Sequence, residues 1–237
     1  MWPFTLVLIQ IQKQHKLIAP GAAVLDLGCA PGAWLQVACQ NLGPLEKGGL
    51  VVGVDVKVRQ SADCVIDGRG VGSDFGARLL QNRSLSISHH IWCITDGKTH
   101  TYKVEQYLPE NEASERGFSV ILSDMCPVVS GITTRDEAIS CELGMRALSL
   151  AVGKIKVKES ADYRETMERF QTSTGPDPDE DGVLRRGGSL VIKFLENEDI
   201  PGFNKFCKEK FKKVSLLRPK ATRSSSREIY MICEGLR

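Results

Sequence analysis

A lysine within an apolar stretch is the first sign of chemistry in this sequence. Lys193 lies in VIKFLE, residues 191–196, where its neighbours are otherwise apolar. Burial disfavours the ammonium form, so such a lysine must pair with an acid or have a lowered pKa. Asp124, in SDMCP, and Glu228, in SSSREIYMIC, border two other apolar runs and could supply the pairing. A purely structural buried ion pair would give the same pattern.

A turn with two glycines is the second sign, in LDLGCAPGAW at residues 25–34. Gly28 and Gly32 follow an apolar run that is typical of a buried strand, and glycine lets a backbone approach a ligand closely. Their spacing, G-x-x-x-G, differs from the G-x-G-x-x-G dinucleotide motif and from the P-loop. The turn therefore disfavours a diphosphate ligand.

Acids stand at the ends of the next two predicted strands. Asp55 lies at the end of LVVGVDV and suits a ribose 2′,3′-diol, because a carboxylate can accept hydrogen bonds from both hydroxyls. Asp67 follows DCVI and could reach an adenine amino group, while Trp34 could shape the site. Each of these alone is compatible with an ordinary turn. Together, at the edge where parallel strands end, they favour S-adenosylmethionine as the ligand.

The elements that position these residues alternate along the chain. Short apolar runs bounded by turn residues predict strands, and the segments between them predict helices. Such alternation is typical of an α/β fold with a mostly parallel sheet covered on both faces. The predicted strands are 22–28, 50–56, 63–66, 118–124, 188–195, 213–219 and 227–235, and the predicted helices are 10–18, 33–42, 74–82, 136–153 and 202–211.

The length of 237 residues predicts one domain, residues 1–237, with insertions at about 84–117 and 155–187 that do not fit the alternation. Eight cysteines without a C-x-x-C pair argue against a zinc site, and their apolar surroundings favour a reducing compartment. The apolar start MWPFTLVLI is too short to span a bilayer, so no membrane association is expected.

Five motifs, taken in order, resemble the FtsJ (RrmJ) ribosomal RNA 2′-O-methyltransferases: LDLGCAPGAW, VVGVDV, ILSDMCP, GGSLVIKF and RPKATRSSSREIYMI. The resemblance runs from about residue 11 to 234. It implies a Rossmann-like fold with a seven-stranded, mostly parallel sheet and an antiparallel last strand. It also implies an enzyme that uses S-adenosylmethionine to methylate a ribose 2′-hydroxyl of RNA, and ribosomal RNA above all.

The resemblance also assigns roles to individual residues. The cofactor contacts of the family fall on Gly32, Trp34, Asp55, Asp67 and Asp124. The family has a Lys-Asp-Lys-Glu catalytic group, and its last three members fall on Asp124, Lys193 and Glu228. The second lysine of that group is the proton acceptor, which implies this role for Lys193, provided that desolvation or another cation lowers its pKa.

The first lysine of the catalytic group has no counterpart, because Val7 stands at its position. Lys13 is six residues further on, about 9 Å along a helix, and is not an obvious substitute. Two interpretations are open. Either the first residues differ from those of the functional chain, which is the interpretation we favour, or the chain has a three-member site. The second interpretation adds an alternative function, a catalytically silent RNA-binding relative that acts in ribosome assembly.

Basic residues cluster between residues 205 and 227, although the net charge is only +2. The run continues through a loop that reaches the predicted catalytic Glu228, so we interpret it as a surface that contacts RNA phosphates. A solvated helix face is the alternative. The predicted RNA-binding residues are Lys212, Lys213, Lys220 and Arg223.

These features predict an intracellular protein, located in the cytoplasm or in an organelle, that binds RNA as a monomer. A small-molecule methyltransferase is a weaker alternative, because neither the basic run nor Lys193 would be required for it.

Overall fold

One sheet organises the part of the chain that the computed structural model describes, which is residues 3–44, 47, 49–55, 90–94, 117–127, 129–153, 182–220 and 226–237. Its strands are β1 (Ala23–Leu27), β2 (Leu50–Val54), β3 (His90–Ile94), β4 (Phe118–Ser123), β5 (Leu184–Leu195), β6 (Phe211–Leu217) and β7 (Glu228–Leu236). The helices are α1 (Pro3–His15), α2 (Ala33–Asn41), α3 (Thr133–Val152) and α4 (Ile200–Lys210). Within the described ranges, none of these helices combines the length and hydropathy that crossing a bilayer requires.

The strand order, β3-β2-β1-β4-β5-β7-β6, determines where a ligand can bind. Neighbouring strands from β3 to β5 are parallel, whereas β7 is antiparallel to both β5 and β6. The chain passes outward from β1 to β3 and then returns to the other side of β1 with β4. The order thus reverses between β1 and β4, and open parallel sheets bind ligands beyond the carboxyl ends of the strands at such a point. The predicted α/β class with a mostly parallel sheet is confirmed.

Apolar side chains cover both faces of the sheet, which is why β4 is buried along its whole length. Leu25, Ile121 and Ile192 face α3 and α4, while the opposite face packs against α1 and α2. Tyr230 belongs to the second face. Since side chains alternate along a strand, Lys193 lies on this face as well.

Helix α1 begins and ends earlier than the predicted range of 10–18. It begins at Pro3 because Val7, Leu8 and Ile11 form an apolar stripe that packs onto the sheet. It ends at His15, and Lys16 directly after it has a positive φ of 52°. The apolar start is therefore part of the helix, and the predicted first residue, 10, was wrong.

Two other boundaries also differ from the prediction. Strand β3 lies within 84–117, one of the two stretches predicted as insertions, and pairs in parallel with β2. Strand β5 begins at Leu184 instead of 188, and its pairing with β4 shifts register between Phe118 and Val120. The predicted strand 63–66 and helix 74–82 lie outside the described residues.

Candidate active site

A buried ion pair lies at the carboxyl ends of β4 and β5. Lys193 donates from Nζ to Oδ1 of Asp124 over 2.8 Å. The lysine side chain is only 4% exposed, whereas that of the aspartate, at 16%, retains some access to solvent. The sheet thus brings two of the predicted catalytic residues into direct contact, next to the point where the strand order reverses.

Tyr230 is a third member of this cluster and was not among the residues predicted from the sequence. Its hydroxyl donates to the same Oδ1 of Asp124 over 3.1 Å, and its side chain is fully buried. Tyr230 stands directly opposite Lys193 in the antiparallel register of β5 and β7. A buried tyrosine needs a polar partner, so the tyrosine within the apolar run EIYMIC indicates a buried hydrogen bond. Only the strand register connects that signal to Lys193.

The pKa of Lys193 differs in direction from the lowered value that a proton acceptor was expected to have. Burial lowers the pKa of this amine, but the carboxylate of Asp124 raises it, and Cys126 and Glu228 add to the increase. The net result is a raised pKa, because the charge and hydrogen bond of Asp124, together with the charges of Cys126 and Glu228, outweigh the desolvation of the ammonium group. In this state Lys193 is an ammonium ion.

Tyr230 stays protonated in the same environment. Burial raises its pKa, and the negative charges of Asp124 and Glu228 raise it further. The phenol is therefore a neutral donor to Asp124 throughout the physiological range of pH. Two donors on one oxygen fix the orientation of the Asp124 carboxylate.

Glu228 begins β7, where its backbone N–H donates to Oγ of Ser226 over 3.3 Å. In the strand register it stands opposite Leu195, two residues beyond Lys193. Its charge contributes to the raised pKa of Lys193. The third predicted catalytic residue is therefore at the edge of the cluster and acts on the lysine electrostatically.

Two arginines fix the segment that leads into β7 through ion pairs and hydrogen bonds. Arg227 forms an ion pair with Glu137 on α3 and donates to the backbone oxygen of Glu196 over 2.6 Å. Arg218 pairs with the carboxylate of Glu196 and donates to the backbone oxygen of Ser226 over 3.1 Å. Both arginines belong to the predicted basic run, but in this structure they hold the ends of α3, β5, β6 and β7 together.

The first glycine of the turn after β1 lies against the residue that follows Asp124. Gly28 has a φ of +77°, and its N–H donates to the backbone oxygen of Val54 over 2.8 Å. A Cβ at this position would be 3.0 Å from Cγ and 3.1 Å from the backbone nitrogen of Met125. Glycine is required here by both the conformation and the close approach. The predicted cofactor turn and the Lys193–Asp124 pair are thus adjacent.

The predicted cofactor residues of β2 and α2 meet at the same turn. Gly32 precedes the first residue of α2 with a φ of 104°. Oδ2 of Asp55, directly after β2, accepts a hydrogen bond from the N–H of Ala30 over 2.9 Å. A glycine backbone, a helix N-terminus and a carboxylate at neighbouring strand ends are groups that fit a nucleoside ligand.

Trp34 and Asp67 complete the predicted cofactor set. Trp34 is only 2% exposed, and its ring centroid lies 5.8 Å from that of Tyr230. The buried tryptophan therefore packs against Tyr230, next to the Lys193–Asp124 pair. Asp67 lies outside the described residues.

The predicted RNA-binding residues differ in their surroundings. Lys213 forms an ion pair of 2.7 Å with Glu234, which also contacts His15 over 2.8 Å. Lys212 and Lys220 are exposed. Arg223 lies outside the described residues.

Comparison with known proteins gives a consistent result. The model of the FtsJ-like methyltransferase family matches residues 6–236. A protein from Syntrophobacter fumaroxidans named ribosomal RNA large subunit methyltransferase E is 32% identical over 231 residues, which cover 96% of this chain and 85% of the relative. A protein of the same name from Desulfatibacillum aliphaticivorans is 30% identical over 223 residues, covering 94% of this chain and 78% of the relative.

A crystal structure described as that of a ribosomal RNA methyltransferase from Plasmodium falciparum has a similar fold. Its TM-score is 0.60 at 17% identity, with 98% of this chain and 96% of that chain covered. At this level of identity the likeness concerns the fold alone.

Proposed function

Because the chain belongs to the FtsJ-like methyltransferase family, we propose that it methylates a ribose 2′-hydroxyl of ribosomal RNA, with S-adenosylmethionine as the methyl donor. The observation that carries this proposal is the buried Lys193–Asp124 pair of 2.8 Å beside the turn that contains Gly28. This contact supports a proton-transfer group beside the turn that we propose to hold the nucleoside. The names of the relatives support ribosomal RNA as the substrate.

The cofactor supplies an electrophilic methyl group when it is bound. The residues that we propose to hold it are Gly32, Trp34, Asp55, Asp67 and Asp124. The contribution of the chain to the reaction is then to align the 2′-oxygen and to remove its proton. Lys193 is the proposed proton acceptor, because it is a buried basic side chain that pairs with Asp124, whose carboxylate Tyr230 also orients.

Lys193 must lose its own proton before it can accept another. The raised pKa means that the neutral amine is a minor form at neutral pH. The rate of methyl transfer is therefore expected to increase with pH as this form becomes more populated. Asp124 keeps the amine in place, and Glu228 adds negative charge that stabilises the ammonium form after proton transfer.

A catalytically silent RNA-binding relative is the second candidate. The observation in its favour is Val7, which stands where the family has its first catalytic lysine and is 2% exposed within an apolar cluster. Such a protein would still bind RNA through its basic surface but would not catalyse methyl transfer at a useful rate.

The proposal includes the finer features of the family. These are a complete sheet of seven strands with β7 as its antiparallel strand, and a monomer as the active form. A ribosomal RNA substrate requires a location inside the cell, in the cytoplasm or in an organelle. Light scattering of the purified protein with and without RNA tests the monomer.

The test of the proposed function is methyl transfer from labelled S-adenosylmethionine to large-subunit ribosomal RNA transcribed in vitro, with transfer RNA as the comparison substrate. Digestion to nucleosides should show the label in a 2′-O-methylnucleoside from ribosomal RNA. A wild-type protein that binds this RNA and the cofactor but transfers no methyl group would favour the silent relative. Label on a base would contradict the proposed chemistry.

A further inference from the structure

Two strongly exposed apolar side chains stand three residues apart in the loop between β4 and α3, of which residues 124–127 and 129–132 are described. Val129 is 69% exposed and Ile132 is 56% exposed. The other large apolar residues with comparable exposure in the described part of the chain are Leu6 and Leu216, at 41% and 47%. Large exposed apolar side chains next to a functional site mark a contact surface more often than isolated ones do.

This loop is anchored at its first end to the candidate active site. It starts at Asp124, whose backbone N–H donates to Leu27 at the end of β1 over 3.1 Å. At the other end of the loop, Glu137 near the start of α3 forms an ion pair with Arg227, which directly precedes Glu228. The exposed pair therefore lies in a loop that is attached to the candidate active site at both ends, which makes it a candidate for the rim of that site.

The second end of the loop is held rigidly by the buried Asp136. Its carboxylate oxygens accept from the N–H of Ser130 over 3.0 and 3.1 Å, and Oδ1 accepts from Oγ of the same serine over 2.7 Å. Oγ of Ser130 in turn accepts from the N–H of Ile132 over 3.2 Å. These bonds fix the loop while Val129 and Ile132 point to solvent. A fixed, exposed apolar pair is suited to contact a partner.

The chemistry of the proposed substrate indicates what that partner is. Since Lys193 is 4% exposed, a ribose hydroxyl can reach it only if the nucleotide leaves its stacked position in the RNA. An unstacked base exposes its apolar faces to water, and single-stranded RNA is commonly recognised by side chains that cover such faces. Aliphatic side chains at the rim of the site can supply this cover.

We propose that Val129 and Ile132 form an apolar platform that receives an unstacked nucleobase beside the methylated ribose. This inference rests on the proposed function and assigns part of its substrate site. The platform positions RNA and does not take part in methyl or proton transfer. It complements the basic residues, which contact phosphates and carry little base information.

The test compares the double variant Val129→Ala/Ile132→Ala with Leu216→Ala, a matched control on the edge strand β6. The double variant should raise KM for unmethylated large-subunit ribosomal RNA about tenfold, as expected when two aliphatic contacts are lost. The kcat at saturating RNA and the cofactor affinity should stay close to wild type. Ile132→Leu, which keeps the apolar area, should behave like the wild-type protein.

Direct RNA binding separates this inference from the proposed function. The double variant should bind the naked transcript more weakly, with an unchanged slope of log affinity against log salt, because no phosphate contact is lost. This result can be obtained even if the wild-type protein transfers no methyl group, which would overturn the proposed function alone. The platform is overturned if the double variant and wild type bind the transcript equally, or if Leu216→Ala weakens binding as much. A loss seen with ribosomal subunits but not with naked RNA would also overturn it, since the loop would then contact a protein.

Discussion

Oδ1 of Asp124 accepts hydrogen bonds from Lys193 and Tyr230, which come from two antiparallel strands. The carboxylate therefore orients the amine and at the same time stabilises its charged form. These two effects oppose each other in a proton acceptor, because a well-held ammonium ion is a poor base. The pH dependence of the reaction is the observable that reveals this balance.

Asp124→Asn should move the rising limb of the pH–rate profile to lower pH. The amide removes the largest influence that raises the pKa of Lys193, so burial then dominates and the amine loses its proton more easily. The maximal rate should fall, since the amine is held less well. Tyr230→Phe is the control, because it retains the Asp124 charge and should not move the limb to lower pH. An unchanged limb in Asp124→Asn would contradict the assignment of this limb to Lys193.

Val7→Lys should increase the rate of methyl transfer and lower the thermal stability. Val7 is buried on the sheet face that carries Tyr230 and Lys193, so a lysine there would place a second cation on that face. A nearby cation lowers the pKa of Lys193, whereas burial of a new charge destabilises the fold. Val7→Met keeps the apolar character and should leave the rate unchanged. A folded Val7→Lys protein without a rate gain would show that position 7 does not limit the reaction.

The residue types predicted the ion pair, but they could not predict its protonation state. A lysine in VIKFLE signals a partner, and Asp124 provides it. Whether desolvation or pairing determines the pKa depends on a separation of 2.8 Å, which only the structure gives. The role of Tyr230 could not be predicted for a related reason, since it depends on the register between β5 and β7.

Among the elements, the turn between β1 and α2 joins the predicted cofactor site to the catalytic pair. Glycine spacing and the strand that precedes it were readable from LDLGCAPGAW. The contact between Gly28 and Met125 was not, because it depends on the packing of β1 beside β4. The start of β5 was also not readable, since an irregular pairing with β4 extends it to Leu184.

Gly28→Ala should weaken cofactor binding more than its effect on stability explains. Gly187→Ala is a closely matched control, because the two glycines have φ values of +77° and +76°. Both variants should lose about 1 kcal/mol of folding stability from the positive φ. Only a Cβ at Gly28 meets other atoms, those of Met125 at 3.0 to 3.2 Å, while one at Gly187 meets nothing within 4 Å. Calorimetry with S-adenosylmethionine should therefore detect weaker binding in Gly28→Ala alone, and equal affinities in both variants would contradict the adjacency of turn and cofactor.

For the whole molecule, the distribution of charge is more informative than the net charge of +2. The basic run contains residues with different tasks. Arg218 and Arg227 are paired with Glu196 and Glu137 and hold the site together. Lys212, Lys213, Lys220 and Arg223 stay the predicted RNA contacts, and among them the exposed Lys212 and Lys220 are the ones we test.

Charge reversal at Lys212 and Lys220 should reduce the salt dependence of RNA binding. Each lost phosphate contact should flatten the slope of log affinity against log salt by about 0.7 to 0.9. Arg218→Gln should change the slope less, because its guanidinium is already engaged by a carboxylate. Titration of the RNA at several salt concentrations measures these slopes. A slope that is insensitive to both lysines would identify the run as a solvated face.

The central claim, that Lys193 accepts the proton of a ribose 2′-hydroxyl, is tested most directly by the rate of 2′-O-methylnucleoside formation in Lys193→Ala and Lys193→Arg. Arginine keeps a cation beside Asp124, so it maintains the buried pair, but its guanidinium stays protonated and cannot accept a proton. Both variants should bind S-adenosylmethionine like the wild-type protein and form the product about 10² to 10⁴ times more slowly. Wild-type rates in either variant would contradict the account.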